Sequence, residues 1–218
     1  MADLILDVFV SHSNSEKEIA TDLKQKLQDP NMRVFLAHDD IDGGEDWMKE
    51  IYEHINECDV FVILLSKEYH QANFTDQETG IAYTMNKPMI PISLDGTKPY
   101  GFMSKYQSTN TILPFSDDKI IEIKNLIYAH TKQGQQIIDN LIDQLANATS
   151  FVNANALVKL VFSFTKFSKT QINKIAKAFL ENYELRGGWT SSQYITELIT
   201  QNMKKIDPKI MQDLKKHL

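Results

Sequence analysis

Four short apolar runs, each followed by a stretch with helical spacing, constrain this chain more than any other feature of its sequence. They are LILDVFV from Leu4, RVFLA from Arg33, VFVILLS from Val60 and MIPISL from Met89. The first, short, apolar and β-branched, suits a strand buried on both faces of a parallel sheet; RVFLA and MIPISL read as strands too, and VFVILLS is the strongest strand signal in the chain. Between the first two, Ile19, Leu23 and Leu27 recur at helical spacing, and Ser15 with Glu18 has the form of a capping box. Asp29-Pro30-Asn31 ends that helix, and Trp47, Ile51 and Ile55 mark a second one. Strands alternating with helices over short connections predict βαβ units, right-handed crossovers and an open parallel α/β sheet with helices on both faces. A fifth strand around Thr111 to Leu113 and a helix from about Lys119 to Thr131 complete the layer.

Beyond that helix no comparable strand run recurs. Amphipathic patterns cover Gln135 to Leu145, Ala156 to Phe162, Gln171 to Tyr183 and Gln193 to Met203. Ser168 with Gln171 forms a capping box, Arg186-Gly187-Gly188 reads as a turn, and Pro208 opens a last short helix. The expected organisation is therefore an α/β domain over residues 1–132 and a small helical domain over 133–218. With 218 residues, of which 42% are hydrophobic, the chain can bury one full core and a smaller one.

Charge and cysteine usage narrow the function classes. A formal charge of −6, with the 23 Lys and Arg dispersed, argues against a phosphate-binding surface for nucleic acid. The single cysteine, Cys58, excludes an internal disulfide and reads as a buried structural thiol. No apolar run reaches bilayer-spanning length, and MADLILDVFV lacks the basic flank of a leader, so the expectation is a cytosolic protein without a membrane partner.

In open α/β sheets ligands collect beyond the carboxyl ends of the strands. Three segments converge there: SHSN after the first strand, DDIDGGEDW after the second, and SKEYHQANFTDQE after the third. The sequence has no GxGxxG after the first strand, no GxxxxGK[ST] and no GxSxG, which removes the usual dinucleotide, triphosphate and nucleophile-elbow chemistries. His12, His38, His54, His70, His130 and His217 show no metal-ligand spacing, so no metal is expected. A phosphorylated receiver is excluded because the corresponding strand ends carry Ser11-His12, Ser66 and Pro114.

DVFVSHS (Asp7 to Ser13), GGEDW (Gly43 to Trp47) running into MKEIYEHINECDVFVILLS, and SKEYHQANFTDQETGIA resemble, in order and spacing, the successive motifs of the Toll/interleukin-receptor (TIR) domain family. The resemblance covers about the first half of the chain. It is nearest to the bacterial, Thoeris-like members, many of which consume NAD in antiphage defence. It implies a flavodoxin-like doubly wound five-stranded sheet and NAD as a substrate, with no separate cofactor. It also implies self-association through this domain, a phage-derived trigger and a downstream effector reached through the nucleotide product. Carried over by position, Glu78 is the catalytic glutamate and Phe74 the aromatic four residues before it, where related enzymes usually have tryptophan.

The chemistry agrees with that assignment. Nicotinamide in NAD is already a cationic leaving group, so its N-glycosidic bond breaks without a proton donor, and one carboxylate suffices where ordinary sugar links use two. Glu78 can hold the ribose hydroxyls and stabilise the oxocarbenium-like transition state. Phe74, one helical turn away, and Trp47 offer rings to the ligand. Ser11, His12, Ser13 and Ser66 offer polar groups at the sheet edge, and Gly43 and Gly44 allow close backbone approach. Asp39, Asp40 and Asp42 are expected to face solvent or a ribose. Each residue has a plainer reading: Glu78 as an acid favoured near a helix N-terminus, Phe74 and Trp47 as packing, Ser66 as a cap, Tyr69 and Tyr83 as packing alone. A scaffold that acts through domain contacts without turnover is the alternative function.

Overall fold

The computed structural model describes residues 4–37, 47–72 and 74–215. Its contacts divide the chain into two compact units, Met1–Gly134 and Gln135–Leu218.

The first unit is a five-stranded parallel sheet in the order β2-β1-β3-β4-β5, built from β1 (Leu6–Ser11), β2 (Met32–Leu36), β3 (Val60–Leu65), β4 (Met89–Ser93) and β5 (Thr109–Asn110). Helices α1 (Lys17–Leu27), α2 (Trp47–Glu57), α3 (Lys67–Gln71), α4 (Thr75–Thr84) and α5 (Asp117–His130) connect and follow the strands. All six residues of β3 are buried, as its continuous apolar run requires of a central strand, whereas edge strand β2 alternates buried with more exposed positions. In-register pairing puts Phe9, Phe61 and Met89 on one face, where Phe9 and Phe61 stack with ring centroids 5.2 Å apart. Ile51 and Ile55 of α2, Tyr69 of α3 and Ala82 of α4 close the core on that face. Cys58 is buried in the same core.

Two details of the sheet differ from the sequence-based expectation. The fifth strand is Thr109–Asn110, not Thr111 to Leu113; it pairs over two residues with Ile92 and Ser93, so it carries no apolar run to announce it. The first helix is not opened by Ser15 and Glu18. A 3-10 turn over Asn14–Glu16 precedes it, and the capping box is Ser13 with Glu16.

The second unit carries most of α6 (Lys132–Ala146), then α7 (Phe151–Val161), α8 (Lys169–Glu181), α9 (Tyr183–Gly187), α10 (Trp189–Gln201) and α11 (Pro208–Leu214). Ser168 and Gln171 form the expected capping box on α8, and Asp207 with Pro208 opens α11. Gln171 also donates from Nε2 to Gln135 Oε1 and Asp139 Oδ1. Arg186-Gly187-Gly188 is not a free turn: Arg186 and Gly187 end α9 and Gly188 caps α10. A Cβ on Gly188 would lie 2.4 Å from Ser191 Oγ, so the close approach of α9 and α10 requires glycine there. No helix among the described residues is long and apolar enough to cross a membrane.

Candidate active site

The chain leaves β1 in one direction to form β2 and crosses back over it to form β3, so the strand order reverses between β1 and β3. The carboxyl ends of these two neighbours define the crevice where sheets of this kind bind ligands. Ser11 ends β1 and pairs with Ile63; Ser66 follows β3. Ser11, His12, Ser13, Ser66 and Glu78 are all buried, an unusual concentration of polar side chains for one end of a sheet.

Glu78 comes from the first turn of α4. Phe74 is the N-cap of that helix, and its carbonyl accepts the Glu78 N–H at 2.9 Å, which places the two residues one turn apart. A carboxylate in a first turn is favoured by the helix dipole, yet this one is only 2% exposed. Ser11 donates to its Oε2 at 2.5 Å, while its Oε1 is buried with no hydrogen-bond partner among the described residues. Burial raises the Glu78 pKa from 4.5 to about 7, and the Ser11 hydrogen bond opposes that rise.

The Ser11 hydroxyl does not stand open at the sheet edge. Besides Glu78 it contacts the Tyr69 hydroxyl at 2.7 Å, and Tyr69 in turn lies 3.1 Å from Thr79 Oγ1 and 3.3 Å from the Thr75 carbonyl. Tyr69 is fully buried, and its pKa is raised well above the ordinary value by that burial and then by Glu78. Sequence reasoning treated Tyr69 as packing, because a hydrogen bond across 58 residues leaves no local signature.

Glu16 is the other residue that sequence reasoning passed over. It is 5% exposed and accepts from the Ser13 amide at 3.0 Å, the Ser13 hydroxyl and the Ser66 hydroxyl. Ser66 also caps α3, accepting from the Tyr69 amide at 3.0 Å. The carboxylate therefore ties the end of β1 to the end of β3. The available signal was Ser13-x-x-Glu16, which fits a capping box as well as Ser15-x-x-Glu18 does.

Trp47 and Phe74 meet edge to face, centroids 4.4 Å apart and planes at 78°, both partly buried. His12 Nδ1 lies 3.4 Å from the Val10 carbonyl, which only accepts, so Nδ1 carries the proton in that contact. Gly43 and Gly44, with Asp39, Asp40 and Asp42, lie outside the described residues.

Residues 8–127 match the family model of the TIR domain. The chain belongs to the TIR domain family. The solved structure of Clostridium botulinum CMP N-glycosidase, BcmB, is 20% identical to it, covering 54% of this chain and 97% of that one at a TM-score of 0.38. No curated protein matches the chain. Two clefts open elsewhere on the TIR domain. One of about 270 Å³ lies at the amino ends of β1 and β2, lined by Asp7, Arg33, His54 and Cys58, and the Asp7–Arg33 ion pair at 2.7 Å crosses its wall. The other, of about 250 Å³, is lined by His70, Asp76, Thr79 and Tyr100. Neither is lined by Glu78, and the amino-end cleft is at the wrong end of the sheet for ligand binding in this architecture.

Proposed function

We propose that this TIR domain cleaves the nicotinamide N-glycosidic bond of NAD, with Glu78 as the carboxylate beside the reacting sugar. The observation that carries the reading is the Glu78 side chain, buried at the switch point of the sheet with one oxygen held by Ser11 and the other lacking a partner among the described residues. A buried acceptor left open is costly unless a ligand completes it. Ribose hydroxyls would do so, and the carboxylate would then face the positive charge that builds on C1′ as the base departs.

The C1′–N bond breaks with its electron pair going to the nicotinamide nitrogen, which converts the pyridinium to neutral nicotinamide. Water attacks C1′ and releases a proton, giving ADP-ribose. An adenine nitrogen or a ribose hydroxyl in place of water would give a cyclic or conjugated product of the kind used as a second messenger. Trp47 and Phe74 supply an apolar wall, and Ser11 acts on the substrate through Glu78. The working form is the ionised one, so activity rises with pH through about 7, where Glu78 loses its proton.

The same reading makes the protein a bacterial cytosolic defence enzyme. Its TIR domain self-associates, a phage-derived signal triggers it, and the helical unit, Gln135–Leu218, serves sensing or assembly. Incubation of the purified chain with NAD, followed by mass spectrometry, tests activity and product together. Nicotinamide with ADP-ribose or an isomer of it is expected from the wild type and not from Glu78→Gln. Intact NAD at high protein concentration would leave the scaffold function in its place.

A further inference from the structure

Three hydroxyls, those of Ser11, Tyr69 and Thr79, stand in sequence beneath Glu78, and counting their protons fixes the direction of each bond. Ser11 has one proton and gives it to the carboxylate Oε2, so on the 2.7 Å contact with Tyr69 it must accept. Tyr69 then gives its proton to Ser11 and accepts on the 3.1 Å contact with Thr79. The chain runs Thr79 to Tyr69 to Ser11 to Glu78. When Glu78 is protonated the order reverses: the carboxyl donates to Ser11, Ser11 to Tyr69, and Tyr69 to the Thr75 carbonyl at 3.3 Å. Each hydroxyl from Ser11 to Tyr69 has an acceptor in both states, and the ring carrying the middle one is fully buried and cannot turn toward water.

We infer that Tyr69 is a positioning residue: through Ser11 it holds Glu78 by one oxygen, keeps Oε1 open, and supports the carboxylate by a hydroxyl chain that reverses on protonation. The geometry stands by itself, while the consequence for turnover rests on the proposed NAD cleavage. Removing the Ser11 hydroxyl takes away the only hydrogen bond to the carboxylate among the described residues. Removing the Tyr69 hydroxyl leaves that bond but weakens it, because bonds in series to a charged acceptor reinforce one another. Both changes therefore raise the proton affinity of Glu78, Ser11 more than Tyr69.

Other titratable groups around α4 are engaged elsewhere. Asp76 on the same helix accepts from Tyr100 at 2.7 Å and lies 3.2 Å from His70. On α2, Lys49 faces Glu53 and Glu50 faces His54. Lys87 reaches the carbonyls of Asn56 and Cys58, and Lys105 lies over the rings of Tyr83 and Tyr106. Glu16 takes the serines, and His12 the Val10 carbonyl.

The test is a pH titration of the full chain carrying carboxyl-¹³C glutamate, followed by NMR, with the Glu78 signal assigned by its loss in Glu78→Gln. The wild-type midpoint is expected at about 7. Ser11→Ala should raise proton affinity about tenfold, one pH unit, and Tyr69→Phe about threefold. A purely structural role for Tyr69 would lower thermal stability without moving the midpoint. Should Ser11→Ala fail to fold, Tyr69→Phe, which removes one oxygen from a packed ring, decides alone. An unmoved or lowered midpoint in Tyr69→Phe overturns the inference. Midpoints that move as expected in a protein releasing no nicotinamide would uphold the hydroxyl chain and reject the proposed reaction.

Discussion

Two buried glutamates occupy the carboxyl end of the same sheet, and their surroundings treat them in opposite ways. Glu16 has both oxygens answered, Oε1 by Ser66 and Oε2 by the amide and hydroxyl of Ser13. Glu78 has Oε2 answered by Ser11 and Oε1 answered by nothing among the described residues. A carboxylate with every donor in place fastens two chain segments together. A carboxylate kept dry with one oxygen open is destabilising in isolation, and such a group persists where binding or chemistry uses it. Local sequence does not separate the two: each is an acid near the start of a helical segment, Glu16 in the turn directly after β1 and Glu78 in the first turn of α4.

The comparison breaks most sharply in stability, where the two acids should act with opposite sign. Glu16→Ala leaves the Ser13 amide and the Ser66 hydroxyl without that acceptor, at about 1–3 kcal/mol each, while the Ser13 hydroxyl can turn to Ser15 Oγ at 2.7 Å. It should lower the unfolding free energy by about 4 kcal/mol, measured from the denaturant midpoint. Glu78→Gln should stabilise instead. Because folding raises the Glu78 pKa, the folded state binds the proton more tightly, and its contribution to stability is full below pH 4.5 and lost as pH rises through about 7. Above that range the wild type bears a penalty of up to about 3 kcal/mol that the amide escapes. The two proteins should therefore differ in melting temperature at pH 8 and converge near pH 4. A Glu78→Gln variant less stable at pH 8 would show that the acid is structural after all.

Smaller effects sharpen the contrast. Ser66→Ala removes the cap of α3 and one donor to Glu16, and should cost about 1–2 kcal/mol in thermal unfolding, with little change in the Glu78 midpoint. Phe74→Ala removes the edge-to-face contact with Trp47, worth about 1 kcal/mol. It should raise KM for NAD several-fold while kcat changes less, read from steady-state nicotinamide release.

The sheet was legible because burial on both faces forces continuous apolar runs, which β3 and β4 carry and β1 carries but for Asp7, while edge strand β2 was marked by apolar positions around an exposed Arg33. Thr109–Asn110 had no such signature, since a two-residue edge strand needs only backbone pairing. Glu78 was reachable through the ordered TIR motifs and its place in the helical segment between β3 and β4, where it opens α4. Glu16 was passed over in favour of a competing pattern two residues further on, because a 3-10 turn delays the start of α1. Tyr69 was out of reach altogether: its hydroxyl matters only because folding brings Ser11 beside it. Local periodicity reports which side chains are buried, and it is silent on which oxygen a buried donor will find.

The central claim, that the open carboxylate of Glu78 acts on the sugar of NAD, is met most directly by the initial rate of nicotinamide release between pH 5 and 9, for the wild type and Glu78→Gln. The expected result is a wild-type rate that climbs through about 7 and a variant at least about 100-fold slower across the range. A variant that releases nicotinamide at the wild-type rate, or a wild-type rate that falls as pH rises through that midpoint, would contradict it.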